Sequence, residues 1–588
     1  MRVSRSVLLI ALLGGCTAAP TTSMAPGPAA PGSPPPQSGR DPSTLPPPIE
    51  LAVGSPSVRG FAEPEIINTR AFRPQIRRQD FQGEPRRPGS LLPPHQTPKA
   101  DEPGPPNDLV SGSARPVGRV EALPAFPGIS QTPWTPPDPN LAVGPNHVVV
   151  TVNTSIAWYL KDGTPQFEQR LDSTGDPGFF EGIGSGNFTF DPKCFYDPHA
   201  GRFVVLALEQ YSTVESWITF AVSDDADPNG IWFKYRTWSL VSDGTCSAWI
   251  DYPGFGFDAN SWYVTGNLFR FSSGSCSGFA GSLVRVIPKA GPLAGGTAMF
   301  SDLLDSGASW QVAQARDTSP VAIVRTHNDT QLQVARINTP LGTPSLATFN
   351  VNVPTAVSDP SAPSPLGTLA IVGSRVMNAS LRANRLFVAR AAAGEPSPNA
   401  GAVWNEIDMA GTPVAVQSGR VDGTGDQHLF FPALAVNDSG HLGMVFGRSS
   451  STMHPRVETS GRLACDPAGT MSAPTFAAPG LTSPAGDAKR WGDYFGCTID
   501  PVDGRTFWWI GEWQDANGWR TEVGSFRVGR RADIDGDGSV GPTDLAAVLA
   551  AFGTGGPADL DGNGEVNAVE LGMVLADWGT CVGGISGP

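Results

Sequence analysis

The chain has 588 residues, 40% of them hydrophobic, with 69 Gly, 58 Pro and a formal net charge of −15 at pH 7. That length exceeds what one small core organises, so two or more folded units are expected, and the Gly and Pro excess points to turns and linkers. The acidic balance, with no basic run to release counterions from phosphates, excludes nucleic acid as a partner.

Arg2 and Arg5 precede an apolar run, Val7–Leu13, that is too short to cross a bilayer as a helix. Leu13-Gly14-Gly15-Cys16 follows. This stretch resembles the bacterial lipoprotein signal, in which cleavage precedes the cysteine and the thiol is acylated. The resemblance implies a signal peptide over 1–16, lipidation at Cys16, and a membrane-anchored, extracytoplasmic lipoprotein at the cell surface or in the periplasm. Residues 17–135 are Pro-rich (PGPAAPGSPPP, STLPPPIE, DEPGPPNDL). Such composition buries too little apolar surface to offset its ordering entropy, so a disordered or polyproline-like spacer is expected. Ile66–Phe81 alternates in bulk and is the exception, a strand or a docking peptide.

From 136 to 528 one hairpin recurs. Its clearest copy is Trp491–Trp513, where GCTI, the turn DPVDGR and TFWWIGEW combine turn residues with aromatic and β-branched flanks. Upstream copies are Leu141–Asn153, Cys194–Gln210, Gly254–Leu268, Ala322–Asn338, Ala379–Ala391 and Ala433–Ser449. Their second strands are expected to begin near Val148, Phe203, Trp262, Leu332, Leu386, Leu442 and Phe507, at spacings of 54 to 70 residues. Trp217–Trp238 reads as strands three and four of one copy. A repeated four-stranded unit predicts a mainly β fold, a seven-bladed β-propeller with six blades as the alternative. Thr339–Pro365 and Ser450–Arg490 read as long inter-blade loops. Six cysteines besides Cys16 permit disulfides outside the cytoplasm, but none forms a CxxC.

PPDPNLAVGPNH, FDPKCFYDPHAGRF, WIDYPGFGFDANSWYVTGN and WGDYFGCTIDPVDGRTFWW, in that order, resemble bacterial extracellular propellers of the sialidase-like type. Ser223-Asp224-Asp225 with Gly230-Ile231-Trp232 is similar to a stretched Asp-box hairpin. The resemblance covers 136–528 and implies kinship of fold rather than activity.

The composition changes again at Ala532. Asp533, Asp535, Asp537 and Asp544 occupy positions 1, 3, 5 and 12 of a calcium loop, with Gly538 at the sharp turn and the Ser539 carbonyl at position 7. Asp559, Asp561, Asn563, Glu565 and Glu570 repeat that spacing 26 residues later, with Asn567 at position 9. Each loop opens a helix, and Leu545/Leu571, Val548/Val574, Leu549/Leu575 and Phe552/Trp578 correspond at the same offset. The pair, spanning 532–581, resembles the dockerin module, a small α-helical EF-hand-like domain. That resemblance implies two Ca²⁺ ions and a cohesin-like protein partner.

At the propeller face, Asp138, Asp191, Asp251, Tyr252, Asp493 and Tyr494 open first strands, with Glu512 as a candidate acid and Arg490 the one adjoining arginine. Asp-Pro and Asp-Tyr motifs usually cap strands and satisfy turn amides, so no catalytic residue is assigned. The expected function is a lipoprotein whose propeller binds a glycan or protein and whose calcium module docks a partner. The alternative is a sialidase-like glycan hydrolase carried by the same module. Clustered carboxylates or arginines at one propeller mouth would favour the hydrolase, and a hydrophobic or closed mouth would favour binding.

Overall fold

The computed structural model describes residues 45–50, 58–70 and 118–580, apart from 133, 173–177, 212–214, 273–274, 536–538 and 562. The segment expected to be a signal, with Cys16, and Asp537 of the first expected calcium loop lie outside the described residues. What is described is mainly β.

Antiparallel strands follow one another in sheets that run from an inner strand outward. Asn140–Val143, His147–Val152, Ser155–Leu160 and Pro165–Arg170 form the first. Thr189–Asp197, Arg202–Tyr211, Glu215–Ser223 and Ile231–Trp238 form the second. Comparable sheets start at Ser247–Phe257, Gln311–Ala315, Val376–Arg382, His428–Val436 and Gly496–Ile499. Each of these inner strands packs beside the next, and Gly496–Ile499 returns to pack beside Asn140–Val143. The arrangement is therefore cyclic. Its core lies between neighbouring sheets, where Trp158, Trp217, Trp232, Trp262, Trp310, Trp404 and Trp491 are fully buried. Phe195 packs on Phe255 and Phe257 at centroid distances of 4.4 and 4.8 Å, joining the second sheet to the third. Of the C-terminal tryptophans, Trp508 and Trp509 are also buried, so these rings serve packing between sheets.

The second strands begin at His147, Arg202, Ser261, Arg385, Leu442 and Phe507, within one residue of the sequence expectation. The fourth unit is the exception. There the hairpin Ala322–Asn328/Gln331–Asn338 supplies strands two and three, because Gln311–Ala315 is the inner strand. That inner strand pairs in parallel with Val376–Arg382 of the next unit.

Two expectations from composition are corrected. Thr339–Pro365 and Ser450–Arg490 are not only loops: Ser345–Asn352, Met453–Arg462 and Thr475–Ala478 complete their sheets. Ser361–Ser364, Gly367–Ala370 and Gly486–Arg490 form a small added sheet. Outer strands are half-exposed and polar, so their alternation is weak in sequence. The segment 17–135 is likewise more than a spacer. Ile49–Glu50 pairs with Val241–Ser242, Val58–Ala62 with Ala298–Asp305, and Glu65–Asn68 with Ile231–Trp238. Gly118–Ala122 and Phe126–Ser130 both pair with Gly518–Arg530, closing the last sheet with chain from before the first. An open sheet edge offers a row of unpaired amides and carbonyls, so a Pro-rich segment poor in apolar residues can still be ordered by main-chain bonds.

At the C-terminus, helices Pro542–Ala550 and Ala568–Ala576 pack together over Val540, Val548, Leu560, Val566 and Val574. Arg531 Nη1 donates to the Leu560 carbonyl at 2.7 Å, tying the end of the last sheet to this unit. Cys246 and Cys276 form a disulfide, while Cys194 and Cys497 are buried thiols.

Candidate functional site

Several inner strands carry the same local device. In Asp191-Pro192, Tyr252-Pro253 and Phe431-Pro432 the residue before proline has φ of 49°, 53° and 50°. Each lies at a register shift of its strand, between Phe190 and Lys193, Asp251 and Gly254, and Phe430 and Ala433. Proline cannot donate to the ladder, so the strand bulges there and turns one side chain out of the alternation. Asp138, before Pro139 and the first inner strand, has φ 48°. Left-handed backbone at bulky non-glycine residues is costly and clusters at functional positions.

The device brings carboxylates together. Asp138, Asp191 and Asp493, from the first, second and last units, are buried, with one oxygen of each within 4.8 Å of the others. Asp138 Oδ1 accepts the Asp493 amide and Oδ2 accepts Asn153 Nδ2, each at 2.7 Å. Asn153 Oδ1 accepts the Asp191 amide at 2.8 Å, and Asp191 Oδ2 accepts the Tyr252 amide at 3.1 Å. The strand-capping role expected of these aspartates is thus present, and it links four neighbouring sheets. Asp493 also pairs with Arg490.

Around the triad, Tyr494 donates its hydroxyl to the Pro192 carbonyl at 3.0 Å, and Lys193 Nζ lies 2.9 Å from the centroid of its ring. Tyr252 reaches across to Met377 Sδ, and the Arg375 guanidinium faces the Tyr252 ring. Burial pulls the Lys193 ammonium down to about 7, opposed by the charges of Asp138 and Asp493. Burial, then the charge of Asp138, pushes the Glu512 carboxyl well above its usual range. A cavity of about 40 Å³ lies beside Asn140, Lys193, Gln311, Met377, Asn378 and Gly496. That holds a few waters, not a sugar ring.

Of the residues singled out in the sequence, Asp138, Asp191 and Asp493 converge, with Glu512 beside Asp138. Asp251 caps the Tyr252 amide of its own bulge instead. Lys193, Asn153 and Arg375 were not singled out. Lys193 follows the Asp-Pro motif directly, which is a usable signal, whereas Arg375 precedes its inner strand without any motif.

The C-terminal loops gather carboxylates separately. Asp533, Asp535 and Asp544 converge within 4.8 Å, and so do Asp559, Asp561 and Glu570. Asp544 and Glu570 are fully buried at the starts of their helices, each accepting the backbone amide three residues earlier. Glu570 Oε1 is buried without a hydrogen-bond partner. Asn563 turns its side chain onto Asp561, and Glu565 is exposed while its carbonyl accepts Asn567 Nδ2. Asn567 Oδ1 caps its helix by accepting the Val569 amide at 2.9 Å. Ser539 belongs to a two-residue strand pairing with Gly579–Thr580. The duplicated helix residues divide in two: Val548 and Val574 are buried, while Leu549, Leu575, Phe552 and Trp578 are 46–56% exposed.

No protein-family model matches the chain, and no curated protein does. Among solved structures, the chain is similar to an α-L-arabinofuranosidase from Fusarium graminearum in complex with an iminosugar inhibitor. That match has 11% identity, 70% of this chain and 98% of that one covered, and a TM-score of 0.31. An α-L-arabinanase from Penicillium chrysogenum with arabinobiose matches at 12% identity, over 69% and 98%, with a TM-score of 0.33. A Trypanosoma rangeli sialidase with sialic acid matches at 11% identity, over 66% of this chain and 59% of that one, with a TM-score of 0.31.

Proposed function

We propose that this chain is an extracytoplasmic lipoprotein, held at Cys16, in which a closed seven-bladed propeller carries a calcium-dependent docking module for a cohesin-like protein. The observation that carries the reading is the duplicated module. Two loops each gather three carboxylates, which is the donor set of a hard cation, and matching helices leave Leu549, Phe552, Leu575 and Trp578 exposed in equivalent pairs. Exposed apolar pairs of this size on a small unit mark a protein-docking surface. The cyclic packing of inner strands supports seven blades.

The test is capture of recombinant cohesin domains by the full chain in calcium and in chelator. Calcium-dependent capture is expected, and equal capture in chelator would remove the reading. A glycan hydrolase is the second reading, favoured by one observation: Glu512, whose carboxyl burial pushes well above its usual range, lies near the carboxylate of Asp138, and glycoside cleavage uses an acid and a base in such a pair. Release of reducing sugar from polysaccharide by the purified chain decides between the two.

A further inference from the structure

The chain has seven cysteines. Cys246 pairs with Cys276, and Cys194 and Cys497 are buried free thiols in inner strands. Cys465 is also disulfide-bonded. The cysteines left to partner it are Cys16 and Cys581, both outside the described residues. Elimination alone therefore leaves two pairings.

The surroundings of Cys465 separate them. It lies in the tight turn that follows strand Met453–Arg462 of the sixth sheet. The Asp466 amide donates to the Leu463 carbonyl at 3.1 Å, and Asp466 Oδ2 accepts the Leu463 amide at 2.8 Å. Arg462 Nη2 donates to the Asp466 carbonyl at 2.8 Å. The turn is thus pinned from both sides, while Cys465 itself is exposed and open to thiol reagents.

Arg530, the last residue of strand Gly518–Arg530, spans from this turn to the C-terminal unit. Its Nη2 lies 3.6 Å from Cys465 Sγ, and its Nη1 donates to the Gly579 carbonyl at 3.1 Å. Nη1 also donates to the carbonyl of Asp577, the C-cap of the second helix, where a cation is favoured. One planar guanidinium therefore touches the Cys465 sulfur and the backbone two residues before Cys581. Thr580, held in register opposite Ser539, carries the chain to that position. Two residues of chain reach about 7 Å, and bridged Cα atoms stand roughly 5–6 Å apart, so Cys581 can reach Cys465. Cys16 has no comparable tie, and its sulfur is occupied once it is lipidated.

We propose that Cys465 and Cys581 form a disulfide that fastens the C-terminal unit to the sixth sheet of the propeller. It forms by exchange with an oxidised dithiol carrier protein or oxidised glutathione. One cysteine thiolate attacks a carrier sulfur and expels the other as a thiolate. The second cysteine then attacks the mixed disulfide and expels the remaining carrier thiolate. Two protons and two electrons leave the cysteines, and the carrier disulfide is reduced to two thiols. The closed loop contains the whole last sheet, so the bond removes many open conformations from the unfolded chain. The same turn holds the ring-closing strand, because Asp466 Oδ1 accepts the Gly118 amide at 3.1 Å. Sixth sheet, closing strand and C-terminal unit thus meet at one turn, and the exposed Phe552 and Trp578 are presented from a unit that does not swing free.

Peptide mapping of the full chain, produced through an oxidising compartment and alkylated without reductant, tests the pairing. A cross-linked peptide holding Cys465 and Cys581 is expected, and it should separate on reduction. Alkylated Cys465, or Cys465 joined to Cys16 or to any other cysteine, overturns the proposal. Thermal melting in chelator tests the fastening. Cys465→Ser and Cys581→Ser should each lower the melting temperature by about 2 °C or more, and the double variant should lose no more than either single one, because one bond is lost once. Losses that add, or no loss in either variant, would remove the fastening role. Neither measurement uses calcium or a cohesin domain, so failure here leaves the docking reading standing.

Discussion

The carboxylate of Asp138 accepts the amide of Asp493 at 2.7 Å, across a sequence separation of 355 residues. The bond joins the first unit to the last, beside the point where Gly496–Ile499 packs against Asn140–Val143. Asp138→Ala would orphan the buried Asp493 amide and leave Asn153 Nδ2 with only the Pro136 carbonyl, at a cost of roughly 1–3 kcal/mol. Denaturant unfolding should show that loss in chelator as well as in calcium. A change below about 0.5 kcal/mol, the range of a neutral surface substitution, would mean that ring closure does not depend on this residue.

A second prediction concerns the outer closing strand. Gly118–Ala122 covers the edge of Gly518–Arg530, with Val120 facing Val528 across the pair. A chain starting after residue 123 loses that cover and exposes an edge inside the ring's last sheet. Uncovered edges template pairing between molecules, so the truncated chain should be oligomeric or aggregated by size-exclusion chromatography. A monomeric, equally stable truncation would show that the strand is dispensable.

Where the sequence was legible, aromatic and β-branched residues marked strands buried on both faces. Trp262, Phe203 and Phe507 announce second strands because those strands sit mid-sheet and must be apolar on either side. The outer strands were hidden for the opposite reason: Ser345–Asn352 is half-exposed along its length and reads as loop. Pro-rich composition concealed Val58–Ala62 and Gly118–Ala122, whose order comes from backbone pairing rather than side-chain burial. The candidate site was legible as residue types, through Asp-Pro repeated at strand starts, but not as a cluster. Convergence depends on ring closure, which places Asp493 next to Asp138 and gathers Arg375 from a motif-free stretch.

Acid should unfold the propeller partly through His441. The ring is buried, and its Nδ1 faces the Ala464 amide at 3.1 Å, where that amide requires a lone pair. Burial outweighs the nearby Asp466 and pulls the imidazole down to about 4 from an ordinary 6.5. The unfolded chain therefore binds more protons than the folded one between those values. Stability is full above about pH 6.5 and falls as pH drops towards 4, by about 1–3 kcal/mol in all. His441→Gln keeps an acceptor and removes the titration, so its stability should vary less over the same range in denaturant melts. An unchanged pH slope would remove His441 from the account.

Partner capture should depend on the exposed apolar pairs and not on the ions alone. Phe552→Ala with Trp578→Ala removes two half-exposed rings without touching Val548 or Val574, which hold the helices together. Calcium titration heats should be unchanged, while cohesin capture falls at least tenfold, as expected for aromatic anchors at a protein interface. Retained capture would place docking elsewhere on the chain.

The two calcium loops should differ in strength, and the last residues of the loops decide the order. In the first, Asp544 Oδ1 accepts the amides of Ile534 and Asp535 at 2.6 and 3.2 Å, and Oδ2 accepts that of Gly541 at 2.8 Å. Its carboxylate is committed to the backbone and has one methylene fewer to reach an ion. In the second, Glu570 Oε2 accepts the Asn567 amide at 2.7 Å while Oε1 is buried and unpartnered. A longer side chain with a free buried oxygen meets an ion at little further cost, because the desolvation of that oxygen already burdens the metal-free loop. Calorimetry on the full chain should therefore resolve a tighter event belonging to the second loop and a weaker one belonging to the first. Glu570→Gln should abolish the tighter event, and Asp544→Asn only the weaker. Metal binding at these loops should also be coupled to folding, since each loop opens a helix whose first turn is capped by the same carboxylate. Helical circular dichroism should accordingly rise with calcium in step with the tighter event, and a rise that follows the weaker event instead would reverse the order of the sites.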